Sequence, residues 1–331
     1  MIDEEVVKHA EADFRRSVAA WMRTALFEMS PKVRWNERLR RAAGALKSFS
    51  LSIDQSGILT AGLDVDALEG VADRGDLTHD LTDLLVAVGE AAQSANRGLV
   101  LLFDEVQFLS REQLEGLIAA LHKTVQRTLP VTMVAAGLPQ IAELAGDAKS
   151  YAERLFKFPE IGILEEPDAR RALIAPAEEE GATWDDAALD RALEVTGRYP
   201  YFLQELGYAA WGLAEGPAIT PQDVEDSLSP YDSKLDSSFF RVRLDRATEL
   251  QRAYLRAMAE LGPEPQKAAD VAAVLDRTSS QVAPTRAELV ALGLLYTPEH
   301  GYAAFTVPHF DKFMMRAMPE LIVPAKRIRK S

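Results

Sequence analysis

Residues 98–109 read Gly98-Leu99-Val100-Leu101-Leu102-Phe103-Asp104-Glu105-Val106-Gln107-Phe108-Leu109. Five consecutive apolar residues, Leu99 to Phe103, are followed directly by two carboxylates, Asp104 and Glu105. This pattern is typical of a strand that is buried on both faces of a parallel sheet. Because ligands of open α/β sheets bind beyond the carboxyl ends of the strands, we expect both carboxylates to face the site of chemistry. A buried strand followed by a solvent-exposed acidic turn is the alternative.

A second strand of the same character follows one helix later. Ser110 and Gln113 have the spacing of a capping box, which predicts a helix to about Arg127. Leu129-Pro130 ends this helix, and the stretch from Val131 to Gly137 predicts another buried strand. A strand, a helix and a strand at this spacing form one crossover unit. We therefore expect a parallel sheet that is covered by helices on both faces.

The composition is typical of a globular protein, with 331 residues of which 47% are hydrophobic and 27% charged. This length allows two or three domains. No apolar run reaches the ~18 residues of a membrane span, and the acidic start is unlike a signal peptide, so we expect a cytoplasmic protein without membrane contact. The absence of cysteine excludes disulfides and thiolate metal sites. The five histidines show no metal-ligand spacing and are interpreted as surface or packing residues.

The N-terminal region predicts helices and one small hairpin. Apolar residues recur at helical spacing from Glu4 to about Met29, and a second, basic helix extends from about Val33 to Leu46. The alternation from Phe49 to Ile53, followed by Gly57-Ile58-Leu59, predicts the hairpin. A long helix then extends from Gly75 to Ala95 and leads into the first apolar strand.

Beyond the second strand the pattern changes to short helices. We predict a short helix from Gln140 to Ala145, a strand from Phe158 to Leu164, and an all-α segment from Asp168 to Ser229. A connector from Tyr231 to Arg243 leads to the last unit, where three helices and a two-stranded hairpin predict a winged helix. A final helix from Phe310 to Met318 and a basic tail complete the chain.

The net charge of −14 is unevenly distributed. Residues 246–331 carry 12 basic and 9 acidic side chains, whereas residues 1–245 carry 25 basic and 42 acidic ones. Only the last unit can approach a polyanion without general repulsion. If the winged helix binds DNA, the helix Ser280 to Leu292 would lie in the major groove and six cations would contact phosphates: Arg277, Arg286, Lys326, Arg327, Arg329 and Lys330. A protein-binding module, or a cap on the first domain, is the alternative.

Five stretches in this order give the chain a family resemblance: LVLLFDEVQFL, VTMVAAGLPQI, SYAERLF, TGRYPYFLQELG and LRAMAELG to FTVPHFDKFMMR. The chain resembles AAA+ ATPases of the initiator and STAND-like branch. This implies an α/β fold, a truncated P-loop NTPase (AAA+) core with a parallel sheet at residues 1–164. It also implies an all-α lid at 165–230, a connector at 231–245 and a C-terminal winged-helix domain at 246–331.

The resemblance implies ATP and Mg²⁺ as cofactors and a role for single residues. Asp104 matches the Walker B acid that holds Mg²⁺, and Glu105 the general base. Arg154 matches an arginine that reaches phosphates in the same or a neighbouring subunit, or it is a solvated charge on a helix. The lid motif, which contacts the nucleotide, matches Arg198, Tyr199 and Pro200, or these residues only begin a helix after one that ends at a glycine. The tip of the sensor 1 strand is Ala136-Gly137 instead of a polar residue, so Gln140 is the nearest substitute.

The phosphate-binding motif G-x-x-x-x-G-K-[ST] does not occur, because the sequence contains no Gly-Lys pair. We interpret this as an N-terminal truncation and expect weak ATP binding, no hydrolysis and an exposed sheet edge. The predicted function is an ATP-dependent regulatory switch with a winged helix that acts on DNA, on a protein partner or through self-association. The alternative is a non-enzymatic DNA-binding or protein-interaction protein that acts through the winged helix alone.

Overall fold

The computed structural model describes residues 11–29, 35–51, 53, 59–139 and 141–325. The chain divides into two compact units, residues 1–159 and 160–331. Each unit has its own apolar core.

The described part of the first unit is a helical layer packed on a small sheet. Its elements are, in order, α1 (Glu11–Met29), α2 (Glu37–Ser50), α3 (Leu77–Ser94), β1 (Leu99–Phe103), α4 (Arg111–Gln126), β2 (Val131–Ala135), α5 (Ile141–Ala148) and α6 (Ala152–Leu155). The capping box that begins α4 is present, since the Ser110 side chain accepts from Gln113 and the Gln113 side chain accepts from the Ser110 backbone. Helix α3 is capped by Asp76, whose carboxylate accepts from the backbone of His79.

The two strands pair in parallel, as the crossover pattern predicts. Leu99 lies opposite Val131, and Phe103 lies opposite Ala135. Helix α3 packs closely against β2, because a Cβ atom at Gly89 would lie 2.9 Å from Val131 Cγ2. The parallel pairing brings the carboxyl ends of both strands to one edge of the sheet.

The prediction of a sheet covered on both faces is wrong for the described residues. Leu99, Leu101 and Phe103 are buried, whereas Val100 is 57% exposed and Leu102 is 59% exposed. Val134 on β2 is likewise 57% exposed. The strand therefore has one covered and one open face. The apolar run did not reveal this, because apolar residues at every position also suit a face that meets no second layer.

Helices α1 and α3 are joined by a buried ion pair. Arg15 Nη1 lies 3.0 Å from Asp80 Oδ2, and both side chains are at most 5% exposed. The second carboxylate oxygen of Asp80 accepts from the backbone N–H of Arg74 at 2.9 Å. The Arg15 guanidinium also lies 5.1 Å from the centroid of the Phe49 ring. Asp80 is therefore bonded through both oxygens.

The second unit begins with a helical segment. Its elements are α7 (Glu166–Glu179), β3 (Thr183–Trp184), α8 (Asp186–Thr196), α9 (Pro200–Leu213), β4 (Ala218–Ile219) and α10 (Pro221–Lys234). The short strands β3 and β4 pair in parallel, with Trp184 opposite Ile219. The helices agree with the predicted all-α segment, and the β3–β4 pair has no counterpart in the predictions.

The segment predicted as a connector is helical. Helix α10 continues directly into a π-helix at Leu235–Phe240, and α11 (Arg241–Leu244) follows without a break. The π-helix buries Phe240, whose ring stacks on that of Phe313 with centroids 5.1 Å apart. This aromatic packing fixes a segment that the sequence pattern treated as irregular.

The last part of the second unit contains three helices, a three-stranded antiparallel sheet and a final helix. The elements are α12 (Glu249–Leu261), β5 (Gln266–Lys267), α13 (Ala268–Val274), α14 (Ser279–Ala291), β6 (Leu295–Tyr296), β7 (Tyr302–Phe305) and α15 (Phe310–Ala317). The strand order is β5-β7-β6, and both pairings are antiparallel. Strand β5 was missed by the sequence pattern because it has only two residues.

Two predicted strand features do not form. Phe49 and Ser50 belong to the end of α2, so the prediction that they begin a hairpin strand is wrong. The rest of the predicted hairpin lies partly outside the described residues, which exclude Ser52 and residues 54–58. The stretch from Phe158 to Leu164 contains no strand, and Ile161 is 94% exposed. A strand needs a neighbour for a series of backbone hydrogen bonds. Among the described residues, this stretch makes one such bond to another segment, from Leu164 N to Arg198 O.

Candidate functional site

The site predicted from Asp104 and Glu105 lies at the carboxyl end of β1, where the turns after both strands meet. Ala136 N donates to Phe103 O at 2.8 Å, and Val106 N donates to Ala136 O at 3.0 Å. The two hydrogen bonds continue the β1–β2 ladder into the turns. The acidic pair therefore directly follows Phe103, the last paired residue of β1.

The two carboxylates have different surroundings. Asp104 is exposed, and its Oδ1 accepts from the backbone N–H of Glu105 at 2.9 Å. Glu105 is half-buried and has a left-handed backbone, with φ of 52°. A residue other than glycine adopts this conformation at a cost, so surrounding contacts must hold it in place.

Gln107 provides such a contact and was not identified from the sequence. Its Nε2 donates to Glu105 Oε2, and its Oε1 accepts from Leu138 N at 3.2 Å. The same amide thus orients the Glu105 carboxylate and joins the turn after β1 to the turn after β2. The signal in the sequence was its position two residues after Glu105, in the middle of the 3₁₀ turn Val106–Phe108.

Gly137 leaves the space that Gln107 occupies. A Cβ atom at this position would lie 2.7 Å from Gln107 Oε1 and 3.1 Å from Val106 Cγ1. No larger residue fits unless the amide moves. The small residue at the tip of β2 therefore packs against the neighbouring turn, where the family resemblance suggested a polar sensor.

The arrangement can hold one divalent cation through Asp104, since a single carboxylate with water ligands suits Mg²⁺. Glu105 follows it and is oriented by an amide, as a base for a water molecule needs to be. Within the described ranges, no group of three His, Asp or Glu side chains could hold a metal ion. The residues present therefore fit the metal-binding part of an ATP site. They do not provide the phosphate-binding part, because the sequence has no loop of the required type.

The other residues predicted for the first unit's site are not brought to this turn by any hydrogen bond described. Arg154 is exposed on the short helix α6, and its backbone N–H donates to Tyr151 O at 3.1 Å. Gln140 lies outside the described residues. The roles of both residues stay predictions.

Arg198, Tyr199 and Pro200 begin α9 in the second unit. Arg198 has φ of 61°, its N–H donates to Thr196 Oγ1 at 3.3 Å, and its carbonyl accepts from Leu164 N at 3.0 Å. Tyr199 is the N-cap residue, and Pro200 is the first residue of the helix. A left-handed residue before the N-cap gives this turn a defined shape, and its contact with a nucleotide stays a prediction.

The two described cations predicted for DNA make hydrogen bonds within the chain. Arg277 Nη2 donates to Pro324 O at 2.7 Å. Arg286 Nη2 donates to Tyr302 O at 2.6 Å and to Thr297 Oγ1 at 3.0 Å. The tail residues Lys326, Arg327, Arg329 and Lys330 lie outside the described residues.

Comparison with solved structures finds a similar fold in a Walker-type ATPase of Pyrococcus abyssi. The TM-score is 0.51 and the identity 14%, over 71% of this chain and 67% of that chain. Two structures of RuvB variants from Thermotoga maritima match with 14% and 15% identity over 70% of this chain and 81% of theirs, at TM-scores of 0.38 and 0.39 that do not bear on the fold. The likeness to the Walker-type ATPase is one of fold alone.

Two further comparisons concern the sequence. A family model described as a domain of unknown function (DUF8462) matches residues 237–314. No curated protein matches the chain. In the part of the chain that the structure describes, no helix combines the length and apolar character needed to cross a membrane.

Proposed function

We propose that the chain is a regulatory protein of the AAA+ ATPase class, a nucleotide-dependent switch with a winged-helix module. One observation carries this proposal: Asp104 and Glu105 follow a parallel strand whose carboxyl end is hydrogen-bonded to the tip of its neighbour. Ligands of parallel sheets bind at this end. The likeness of the fold to a Walker-type ATPase supports the same class.

In the proposed site, one carboxylate would bind the metal ion and the other would orient a water molecule. A bound Mg²⁺ would neutralise charge on the phosphates of ATP. Asp104 would hold this ion with its exposed carboxylate, and Glu105 would orient a water molecule. Gln107 keeps the Glu105 carboxylate in place through its amide. Arg154 is the proposed source of positive charge for the phosphates, within one chain or between two.

The missing phosphate loop sets the strength of nucleotide binding. Backbone amides and a lysine of such a loop supply most contacts to phosphates. Without them, we expect the chain alone to bind Mg²⁺-ATP with a dissociation constant of about 1 mM or weaker. We expect no measurable turnover.

Calorimetric titration with ATP, with and without Mg²⁺, tests the proposal. We expect weak binding that requires Mg²⁺ and disappears in Asp104→Ala, whereas Glu105→Gln retains it. Glu69→Ala, which removes an exposed carboxylate from the same unit, is the control and should bind as the wild type does. Binding that is independent of Mg²⁺ or persists in Asp104→Ala would contradict the proposed site, and micromolar affinity would contradict the expected weakness.

The second part of the proposal is that residues 246–318 form a winged helix. Three helices and an antiparallel sheet of order β5-β7-β6 support this interpretation. Helix α14 is then the recognition helix. It carries Arg286 and Glu288. The Arg286 guanidinium already donates hydrogen bonds to Tyr302 O and Thr297 Oγ1. These bonds favour a protein partner over DNA as the ligand of this module.

Fluorescence anisotropy with duplex DNA distinguishes the two partners. For a protein partner, we expect no more than non-specific binding to DNA at physiological salt, in the range of about 10⁻⁴ to 10⁻⁶ M. Tighter binding that weakens steeply between low and high salt and is lost in Arg277→Gln would instead establish the DNA-binding alternative.

A further inference from the structure

A groove of about 580 Å³ lies along the side of β1 that faces away from β2. One wall is the C-terminal half of α1, including Trp21, Met22 and Ala25, and the other consists of β1 and the two residues before it, Arg97 and Gly98. Among the described residues β1 pairs with β2 only. The groove therefore follows a free strand edge.

The backbone groups in this groove lack strand partners. Leu99 N donates to Pro130 O and Phe103 O accepts from Ala136 N, both at 2.8 Å, so these residues face β2. Because successive residues of a strand direct their N–H and C=O groups to opposite sides, Val100 and Leu102 direct theirs to the free edge. Both side chains are more than half exposed. An apolar edge with unpaired backbone groups is a template for a further strand.

Among the residues that the structure describes, one segment has matching properties. The sequence Glu160-Ile161-Gly162-Ile163-Leu164 alternates as a strand does, yet it forms no strand. Ile161 is 94% exposed and Ile163 is 50% exposed. Among the backbone groups of this segment, the N–H of Leu164 donates to Arg198 O at 3.0 Å. Exposed apolar residues that lie close together can mark an interaction surface.

We infer that Glu160–Leu164 of a second copy of this chain adds to the free edge of β1 as a third strand. Its backbone would bond Val100 and Leu102, and its isoleucines would cover their side chains. Both segments have five residues, which corresponds to about 17 Å of strand. Since every copy has one edge and one segment, reciprocal exchange closes a symmetric dimer.

The charges at the ends of the two segments are complementary. Arg97 is exposed at the N-terminal end of the groove and has no ion pair within the described ranges. Glu160 and Glu165 flank the apolar residues of the added segment. A parallel strand would bring Glu160 near Arg97, and an antiparallel strand would bring Glu165 there. Either direction therefore places a carboxylate beside the guanidinium.

Sedimentation velocity of the full chain over a wide concentration range tests this inference. We expect a monomer–dimer equilibrium that Val100→Lys and Ile161→Glu each weaken by about tenfold or more. Val125→Lys and Ile322→Glu are matched controls, since these side chains are 55% and 71% exposed elsewhere on the surface. Both controls should dimerise as the wild type does. Circular dichroism establishes that each variant is folded.

A mixture of the two disrupted variants gives the sharpest result. In a mixed dimer, Lys at position 100 of one copy would face Glu at position 161 of the other, and the second exchange would have wild-type residues. Association should therefore return when Val100→Lys and Ile161→Glu are combined. Three outcomes would each overturn the inference. The wild-type chain could stay monomeric at about 100 μM, both variants could dimerise as the wild type does, or the mixture of variants could stay monomeric.

Discussion

The side-chain oxygen of Gln107 lies 3.2 Å from the backbone nitrogen of Leu138. This hydrogen bond joins the turn after β1 to the turn after β2, and the other end of the same amide donates to Glu105. The position of the Glu105 carboxylate thus depends on the β2 turn. Any change that moves this turn should also move the proposed base.

Gly137→Ala should disturb this connection directly. The new Cβ would lie 2.7 Å from Gln107 Oε1, so the amide must shift and its bond to Leu138 weakens. We expect a loss of about 1–3 kcal/mol in the free energy of unfolding, as for overpacking in a filled site. Urea denaturation followed by circular dichroism measures it.

Gly98→Ala is the control for this substitution, because a Cβ there comes no closer than 4.0 Å to its neighbours. It should change the free energy of unfolding by less than about 0.5 kcal/mol. The double variant Gln107→Ala/Gly137→Ala should cost less than the sum of its single changes, since the clash disappears with the amide. Additive costs would show that the clash is not the cause.

Asp80→Asn should destabilise the first unit strongly. It removes the charge that faces Arg15 at 3.0 Å in a site where both side chains are at most 5% exposed. Breaking a buried ion pair costs about 3–5 kcal/mol. We expect the lower end of this range, because Arg15 Nε keeps the half-exposed Glu11 carboxylate at 2.7 Å. Denaturant unfolding of the variant gives this difference.

Asp13→Asn is the matched control, because the Asp13–Arg16 pair lies on the surface with side chains 37% and 54% exposed. Exposed pairs contribute about 1 kcal/mol or less, so the control should unfold almost as the wild type does. Equal losses in both variants would refute the assignment of the Arg15–Asp80 pair as the structural one.

His309 should make the second unit sensitive to mild acid. Burial, with a smaller contribution from the nearby Lys312, lowers the pKa of this imidazole, which stacks on Phe202 with ring centroids 5.3 Å apart. The folded state therefore keeps the ring neutral, while the unfolded chain takes up a proton below about pH 6.5. Stability is complete above that pH and falls as the pH decreases from 6.5 towards the folded pKa.

The slope that one histidine contributes cannot exceed about 1.4 kcal/mol per pH unit. His309→Asn, which tolerates the left-handed backbone at φ of 61°, should remove this slope and lower stability at every pH. The exposed His300 offers a control, and His300→Asn should retain the wild-type profile. Denaturant unfolding at several pH values between 5 and 8 measures how the free energy of unfolding depends on pH. If His309→Asn keeps the wild-type slope, this histidine is not the cause of the pH dependence.

Arg286→Met tests whether this guanidinium is structural. Its loss removes the donor to Tyr302 O and Thr297 Oγ1, so we expect a cost of about 0.5–1.5 kcal/mol, as for hydrogen bonds that water can partly replace. The exposed Arg246 provides the comparison, and Arg246→Met should cost under about 0.5 kcal/mol. If Arg286→Met is as stable as the wild type but loses affinity for duplex DNA, the residue contacts phosphate instead.

Several features followed from short stretches of the chain. The apolar run from Leu99, the Ser110 capping box and the strand beginning at Val131 predicted the parallel crossover and the position of Asp104. These features depend on periodicity and on hydrogen bonds between residues three or four apart. Such information is local, so reading the residues in order reveals it.

Other features depend on residues that are distant in the sequence. Gln107 and Leu138 are 31 residues apart, and their bond requires both turns to be in place. The π-helix at Leu235–Phe240 is stabilised by Phe313, which lies in another helix. No local pattern marks these contacts, because each side chain would be equally acceptable in a turn or helix without them.

The amino-acid sequence by itself established two apolar strands in parallel, an acidic pair after the first, and helices before and after. Tertiary structure alone revealed that, within the described ranges, β1 has an open face and a free edge, and that the stretch from Phe158 to Leu164 forms no strand. The physical reason is that apolar character records a residue's preference for burial, whereas burial and strand pairing both require a second surface. Whether that surface is present is a property of the folded molecule.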